Sequence, residues 1–304
     1  MSPIVEKVIS AWGIEPVAVI RRYPAVWEIN GQYMLKAYEN EDSIKRNAQM
    51  LTVLYGHGAP VAQVVQSLNE DTYVKADEKY WLMTTKLTGS HIIDIRQAGM
   101  GYKMGQTIAR LHMIFQKCED EMDFENNSLL DEMNGWINEN LTAHDWTLIN
   151  EQEFLTAVEH LAHVYRQLPK QLIHRDVHFG NFLFSDGEFS GYIDFDLSQR
   201  NIRVFDLAYF LTGLLTNENG SKLGEDEWLE IIRNVISGYE SILKLQRNEK
   251  DILVCVMECI EILFVAYFIS IKNMTCAEDA AKIFHYIQKR EQKIQECLLS
   301  LVNC

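Results

Sequence analysis

The residues that could do chemistry cluster in one short stretch. Leu172-Ile173-His174-Arg175-Asp176-Val177-His178-Phe179-Gly180-Asn181-Phe182-Leu183-Phe184 is followed by Gly191-Tyr192-Ile193-Asp194-Phe195-Asp196. An apolar pair leads into a polar loop, an apolar triplet leads out, and a second apolar strand ends on a carboxylate. This pattern predicts that Asp176, Asn181 and Asp194 stand at the mouths of short paired strands. Oxygen-bearing side chains gathered there suit a hard cation, Mg²⁺ above all, with phosphate oxygens as co-ligands. His174, Asp176 and His178 do not read as a zinc set. Histidines four apart converge on a metal from a helix, and this loop is flanked by strands. His174 is expected instead to hydrogen-bond backbone and shape the loop.

Several elements must position that loop. Residues 3–12 read as a short helix, with Pro3 in its first turn. Segments 17–21, 25–29 and 32–38 read as strands, with Asn30-Gly31 a two-residue hairpin signal between the last two. Asp42 or Ser43 is expected to cap a helix ending near Tyr55, stopped by Gly56-His57-Gly58. Segments 63–66, 72–75 and 80–85 read as further strands. From Gly89 onward the apolar period becomes helical, over 104–115, 153–168, 204–215, 227–245, 252–271 and 280–302. The strand-and-loop island at 171–197 interrupts it. The expected division is therefore a β-rich lobe over 1–87 and a mainly helical lobe over 88–304.

Composition sets outer limits. The chain has 304 residues, 43 acidic and 28 basic, for a formal net charge of −15. That length suits one large domain or two lobes. The acidity argues against a nucleic-acid partner, which needs a basic footprint. No basic-then-apolar pattern opens the chain, so no signal peptide is expected. The most apolar stretch, 252–271, carries Glu258 and Glu261 near its middle, which favours a buried helix over a membrane span. The six cysteines contain no CxxC pair and read as reduced thiols in a cytoplasmic protein. Gly99, Gly101 and Gly105 have no strand leading into them and do not make a dinucleotide-binding turn. His112, between apolar helix neighbours, reads as a satisfied core histidine.

The pattern H-R-D-x-x-x-x-N, then a hairpin, then D-F-x resembles the catalytic loop and metal motif of the protein-kinase-like fold. Asp206, in Val204-Phe205-Asp206-Leu207-Ala208, follows Asp194 by only twelve residues. That leaves no room for a peptide-docking activation segment, and there is no A-P-E. The arrangement is similar to the aminoglycoside phosphotransferase and choline kinase superfamily, whose members phosphorylate small molecules. The resemblance implies an α+β, two-lobed kinase-like fold with a five-stranded N-terminal lobe. It implies Asp176 as catalytic base, Asn181 and Asp194 as Mg²⁺ ligands, Asp196 as an assisting acid and Asp206 as a structural brace of the loop. It also makes Lys36, in Gln32-Tyr33-Met34-Leu35-Lys36-Ala37-Tyr38, the residue that meets the nucleotide phosphates. The interlobe hinge matches Met83, Thr84, Thr85 and Lys86, where backbone groups bind the adenine edge.

Two departures from the family pattern stand out. Asn47 occupies the position where a helix glutamate usually pairs with the lysine, so another acid such as Glu41, or weaker polar contacts, must hold Lys36. The turn at Arg21-Arg22-Tyr23-Pro24 lacks the glycines of a phosphate-covering loop, and its arginines read as phosphate contacts or as a solvated basic turn. The resemblance implies ATP, with GTP as the alternative nucleotide, and a small-molecule hydroxyl acceptor. Choline, homoserine, methylthioribose and aminoglycosides are all acceptors within the superfamily. The acidic segment 119–132 and Glu225-Asp226-Glu227 either line a pocket for a cationic acceptor or are solvated surface. A catalytically silent binding or structural relative is the competing reading.

Overall fold

The computed structural model describes residues 3–91, 94–216 and 223–300, with the side chains of residues 3 and 300 left aside. The helices are α1 (Pro3–Ile9), α2 (Glu41–Gly56), α3 (Met100–Cys118), α4 (Leu129–Glu132), α5 (Asn138–Ala143), α6 (Glu151–Val164), α7 (Val204–Gly213), α8 (Glu225–Glu240), α9 (Arg247–Ser270), α10 (Met274–Gln288) and α11 (Glu291–Ser300). The strands are β1 (Val19–Tyr23), β2 (Val26–Ile29), β3 (Tyr33–Tyr38), β4 (Val74–Ala76), β5 (Lys79–Thr85), β6 (Glu125–Asn126), β7 (Lys170–Ile173), β8 (Phe182–Ser185), β9 (Glu188–Tyr192) and β10 (Gln199–Ile202). The architecture is α+β, with a sheet-rich N-terminal region and a helical C-terminal region. The described residues fall into two compact units. One lies within Met1–Ile92, Lys117–Phe124 and Phe179–Leu197, the other within Ile93–Gln116, Glu125–His178 and Ser198–Cys304.

The first unit is built on an antiparallel sheet in the order β1-β2-β3-β5-β4. Asn30 and Gly31 take left-handed φ of 53° and 69°, but the β2–β3 connection is three residues, 30–32, rather than the expected two, Ile29 pairing with Tyr33. Val5, Val8, Ile9 and Trp12 pack with Ile29, Leu35, Trp81 and Met83, burying one face of the sheet. Asn40, rather than Asp42 or Ser43, caps α2, its side chain accepting from Ser43 N. The expected strand at 63–66 does not form. Val64 makes a single bridge to Thr84, and Val65 N donates to Met83 O, so the segment runs beside β5 without a regular ladder. The β8–β9 hairpin belongs to this unit, tied by bridges from Val61 to Tyr192 and from Ser90 to Phe184.

The second unit centres on α9, which packs against α6, α7, α10 and α11. By length and composition α9 could cross a membrane, at mean hydropathy 2.5, yet 72% of its most apolar window is buried inside the fold. Arg203 and Glu249 form a buried ion pair of 2.6 Å that fastens the start of α7 to the start of α9. A small sheet in the order β6-β10-β7 leads into the polar loop after Ile173. The helices at 129–143 were not legible, being short and interrupted at Gly135. The helix expected over 280–302 is two helices. No glycine or proline marks the break. Arg290, held by Glu225 of α8 at 2.8 Å, sits at the turn. Residues 301 and 302 lie outside the described residues.

Gly105, set aside above, has a packing role. A Cβ on Gly105 would overlap the Val235 carbonyl, and one on Gly238 would overlap the Tyr102 carbonyl, so α3 and α8 touch backbone to backbone. Gly105→Ala is expected to lower stability by ~1–3 kcal/mol or more, the usual cost of overpacking a close contact. A denaturant titration checks it.

Glu258 and Glu261 put two acids into α9. Burial pushes Glu261 up to about 8, against a small opposing effect of the Thr212 hydroxyl. Burial, with Cys255 and Glu291 adding to it, pushes Glu258 up to about 8 as well. A carboxyl that binds its proton more tightly when folded costs nothing below its unfolded pKa of 4.5 and destabilises increasingly as pH rises toward 8. Glu261→Gln, a neutral isostere, is therefore expected to match wild type in thermal midpoint near pH 4.5 and to exceed it progressively by about pH 8. Across that window the advantage of the amide grows by up to ~1.4 kcal/mol for each step of one in pH.

Candidate active site

In the first unit the sheet places Lys36 opposite Leu82 on β5 and Val26 on β2. Its ammonium lies 3.0 Å from Asp194 Oδ1 and 2.6 Å from Asp196 Oδ2. Burial pulls the Lys36 pKa down, but Asp196 and Asp194 outweigh it and leave the value raised, so the side chain is a fixed positive charge. Asp196 also accepts from Tyr38 OH at 3.2 Å and from Asn47 Nδ2. Asn47 thus reaches Lys36 indirectly, by holding the carboxylate that holds the lysine. Glu41 does not serve, because it is engaged by Lys45, Tyr73 and Tyr80.

The pairing of Phe182 with Tyr192 closes the β8–β9 hairpin, and Ile193 N then donates to Asn181 O at 3.0 Å. Asn181 and Asp194 therefore lie on neighbouring chain segments although thirteen residues apart. Asn181 is buried, and Asp194 takes a left-handed φ of 61°, which Asp tolerates better than most residues. The hinge segment is already committed in part. Met83 O accepts from Val65 N, Thr85 N donates to Gln63 O, and Lys86 N donates to Gln32 O. Lys86 Nζ pairs with Glu28 at 3.0 Å, and Arg22 joins the same carboxylate at 2.7 Å. Arg21 closes its own turn by donating to Pro24 O.

In the second unit β7 delivers the His174–His178 loop. Asp206, fully buried, accepts from the backbone N–H groups of His174 (2.9 Å) and Arg175 (2.8 Å). His112 Nε2 lies 2.9 Å from the same carboxylate, and its Nδ1 lies 2.8 Å from Tyr239 OH, so His112 is a bonded core histidine. Arg175 adopts φ 67°, and its guanidinium donates to Glu132. With both ends of the bend tied, the Asp176 backbone has little freedom. His174 is fully buried.

The Asp176 carboxylate accepts from Tyr209 OH at 2.7 Å, and His178 Nε2 lies 3.4 Å from its other oxygen. Burial pushes its pKa up, but the hydrogen bonds from His178 and Tyr209 and the charges of His178 and His174 prevail and hold it at about 2. It is ionised across the physiological range. Tyr209 was not identified from the sequence. It stands three residues after Asp206, nearly one helical turn on, and that spacing is the only signal of it.

The donors suit a divalent cation. Two carboxylates already converge on the Lys36 charge, an amide stands on the adjoining segment, and these are oxygen donors rather than thiolates or imidazoles. Among the described residues no group of three or more His, Cys, Asp or Glu is arranged to hold a metal.

The first unit thus carries a strand lysine paired with two aspartates and an acid-ended hairpin, and the second carries a braced loop with an ionised aspartate. A family model described as "Phosphotransferase enzyme family" matches residues 21–240, and the chain belongs to that family. Homoserine kinase from Phenylobacterium zucineum (strain HLK1) is 31% identical over 86 residues, which is 28% of this chain and only 25% of that protein. Among solved structures, amicoumacin kinase hAmiN, in complex with AMP-PNP, Ca²⁺ and Ami, aligns at TM-score 0.71 and 18% identity, over 96% of this chain and 92% of that one. A microcompartment-associated aminopropanol kinase aligns at 0.70 and 15% identity, over 96% and 98%. The GDP complex of aminoglycoside 2'-phosphotransferase-IIIa aligns at 0.70 and 13% identity, over 95% and 97%.

Proposed function

We propose that this chain is a cytoplasmic, Mg²⁺- and ATP-dependent kinase that moves the γ-phosphoryl group of ATP onto a hydroxyl of a small organic acceptor. Residues 1–87 form its nucleotide lobe and residues 88–304 its catalytic and acceptor lobe. The observation that carries the reading is the Lys36 ammonium bridging Asp194 and Asp196. A strand lysine paired with the carboxylates after a hairpin is the arrangement a nucleotide triphosphate with a divalent ion needs.

In this reading Lys36 holds the nucleotide phosphates, and Asn181 and Asp194 hold Mg²⁺. The ion supplies neutralisation of the phosphate charge. Asp196 and Asn47 orient Lys36. Backbone groups of the hinge Met83, Thr84, Thr85 and Lys86 meet the adenine edge, other than Met83 O, Thr85 N and Lys86 N, which Val65, Gln63 and Gln32 already engage. The acceptor oxygen bonds to the γ-phosphorus, the bond from that phosphorus to the β–γ bridging oxygen breaks, and ADP leaves. The acceptor proton passes to Asp176. A carboxylate held near pKa 2 is a weak base, so its main work is to fix the hydroxyl in line and take the proton late, as a loose transition state allows. Asp206 and His174 keep the loop in shape.

The test is thermal denaturation with ATP or GTP, with Mg²⁺ and with EDTA, followed by an ADP-release screen against hydroxylated metabolites and antibiotics. A midpoint rise that requires Mg²⁺ and an acceptor-dependent release of ADP are expected. No shift with either nucleotide would contradict the reading.

A further inference from the structure

The second unit carries an aromatic stripe that begins at the proposed base. Tyr209, whose hydroxyl donates to Asp176, stacks on Phe205 at 6.1 Å and meets Phe264 of α9 at 5.8 Å. Phe264 stacks on Phe268 at 5.8 Å with 19° between ring planes, and Tyr267 lies 5.4 Å from Phe268. Ile271 continues the stripe. Residues 264, 267, 268 and 271 follow the three–four spacing that puts side chains on one helix face. Tyr267 is 45% exposed and Ile271 52%, whereas the opposite face of α9 is packed inside the fold. From residue 260 to 271 the only charged side chain is Glu261, which is buried. The α9 carboxylate that acts on Tyr209 is the buried Glu261, and no acid stands among residues 264, 267, 268 and 271.

We infer that this stripe is the acceptor wall, and that the acceptor is an uncharged or weakly charged alcohol carrying a planar apolar group close to its reacting hydroxyl. The ring of such an acceptor lies against Phe264 and Phe268, and its hydroxyl reaches Asp176 past Tyr209. Stacking and burial of apolar area supply the affinity, and the continuous path from Phe268 through Tyr209 to Asp176 supplies the alignment. The inference rests on the reading of Asp176 as the residue that receives the acceptor proton. Of the acids that would have favoured a polycation, Glu225 is neutralised by Arg290 and Lys293, Glu121 is bonded to His57, and Glu132, beside the Asp176 loop, is paired with Arg175.

The test uses the full chain and a neutral matched pair, 4-nitrophenyl β-glucoside and methyl β-glucoside, with kanamycin as the polycationic comparison. Binding is read by saturation-transfer NMR and calorimetry in the presence of Mg²⁺ and the nonhydrolysable nucleotide AMP-PNP, so it does not depend on turnover. The aryl glucoside is expected to bind about 10-fold or more tightly than the methyl glucoside. Phe264→Ala with Phe268→Ala should abolish that preference, and Phe264→Leu, which keeps bulk without the planar face, should weaken it. Each variant should keep the wild-type thermal shift with Mg·ATP, which certifies its fold. Equal binding of the two glucosides, an unchanged preference in the variants, or tightest binding of kanamycin would overturn the inference. Aryl preference in a protein that shows no nucleotide response would instead retain the wall and contradict the kinase reading.

Discussion

Asp176→Asn is expected to lower phosphoryl transfer by ~10²–10⁴-fold, the usual worth of general acid–base assistance. The substitution keeps the shape and leaves an oxygen that can accept the Tyr209 hydroxyl at 2.7 Å, so the loop stays where Asp206 ties it. The charge is what disappears. An amide cannot take the acceptor proton, and it aligns the hydroxyl only weakly. Nucleotide affinity should not change, because Lys36, Asp194 and Asp196 belong to a separate set of contacts. Calorimetry with Mg·ATP and a turnover assay on the same preparation separate the two effects. Turnover near wild type would remove Asp176 from the mechanism.

Asp194→Asn is expected to fail at an earlier stage. The residue takes φ 61°, and asparagine adopts that left-handed conformation as readily as aspartate, so the backbone is preserved. Lys36 keeps its 2.6 Å contact with Asp196. What is lost is a full negative charge from a small set of hard oxygen donors. Even partners that only orient a metal ligand are worth ~10–100-fold in metal affinity, so loss of a ligand itself should cost at least ~100-fold. Nucleotide binding measured across a Mg²⁺ titration should show the curve displaced to higher Mg²⁺, with binding in EDTA unaltered. Equal Mg²⁺ dependence in the variant and wild type would exclude Asp194 as a ligand.

Much of the candidate site was legible because its chemistry is local in sequence. Asp176, Asn181 and Asp194 lie within nineteen residues, and strand lengths and polar spacing put Asp176 after β7 and Asn181 and Asp194 on either side of the β8–β9 hairpin. The partner of Lys36 was not legible. Asn47 and Asp196 are 149 residues apart, and no periodicity records that an amide on α2 will hold a carboxylate beyond β9. Tyr209 was missed for the same reason, its partner being 33 residues away across a helix start. The α-helical period found the long helices but not the break before α11, where Arg290 and Glu225, 65 residues apart, stabilise a turn that contains no breaker residue. Gly105 was weighed only as part of a dinucleotide-binding turn, and Gly238 drew no reading. Their function is the absence of a side chain between two helices, which only packing reveals. Nor did the sequence show that Thr85 N and Lys86 N are engaged by the carbonyls of Gln63 and Gln32, residues outside the regular strands.

The most direct test of phosphoryl transfer to an alcohol is ³¹P NMR of the wild-type enzyme with Mg·ATP and the best acceptor from the screen. A new phosphomonoester resonance should grow in step with ADP, with no matching rise in inorganic phosphate, and Asp176→Asn should suppress it. ADP accompanied only by inorganic phosphate, or a phosphomonoester formed equally fast by Asp176→Asn, would contradict the account.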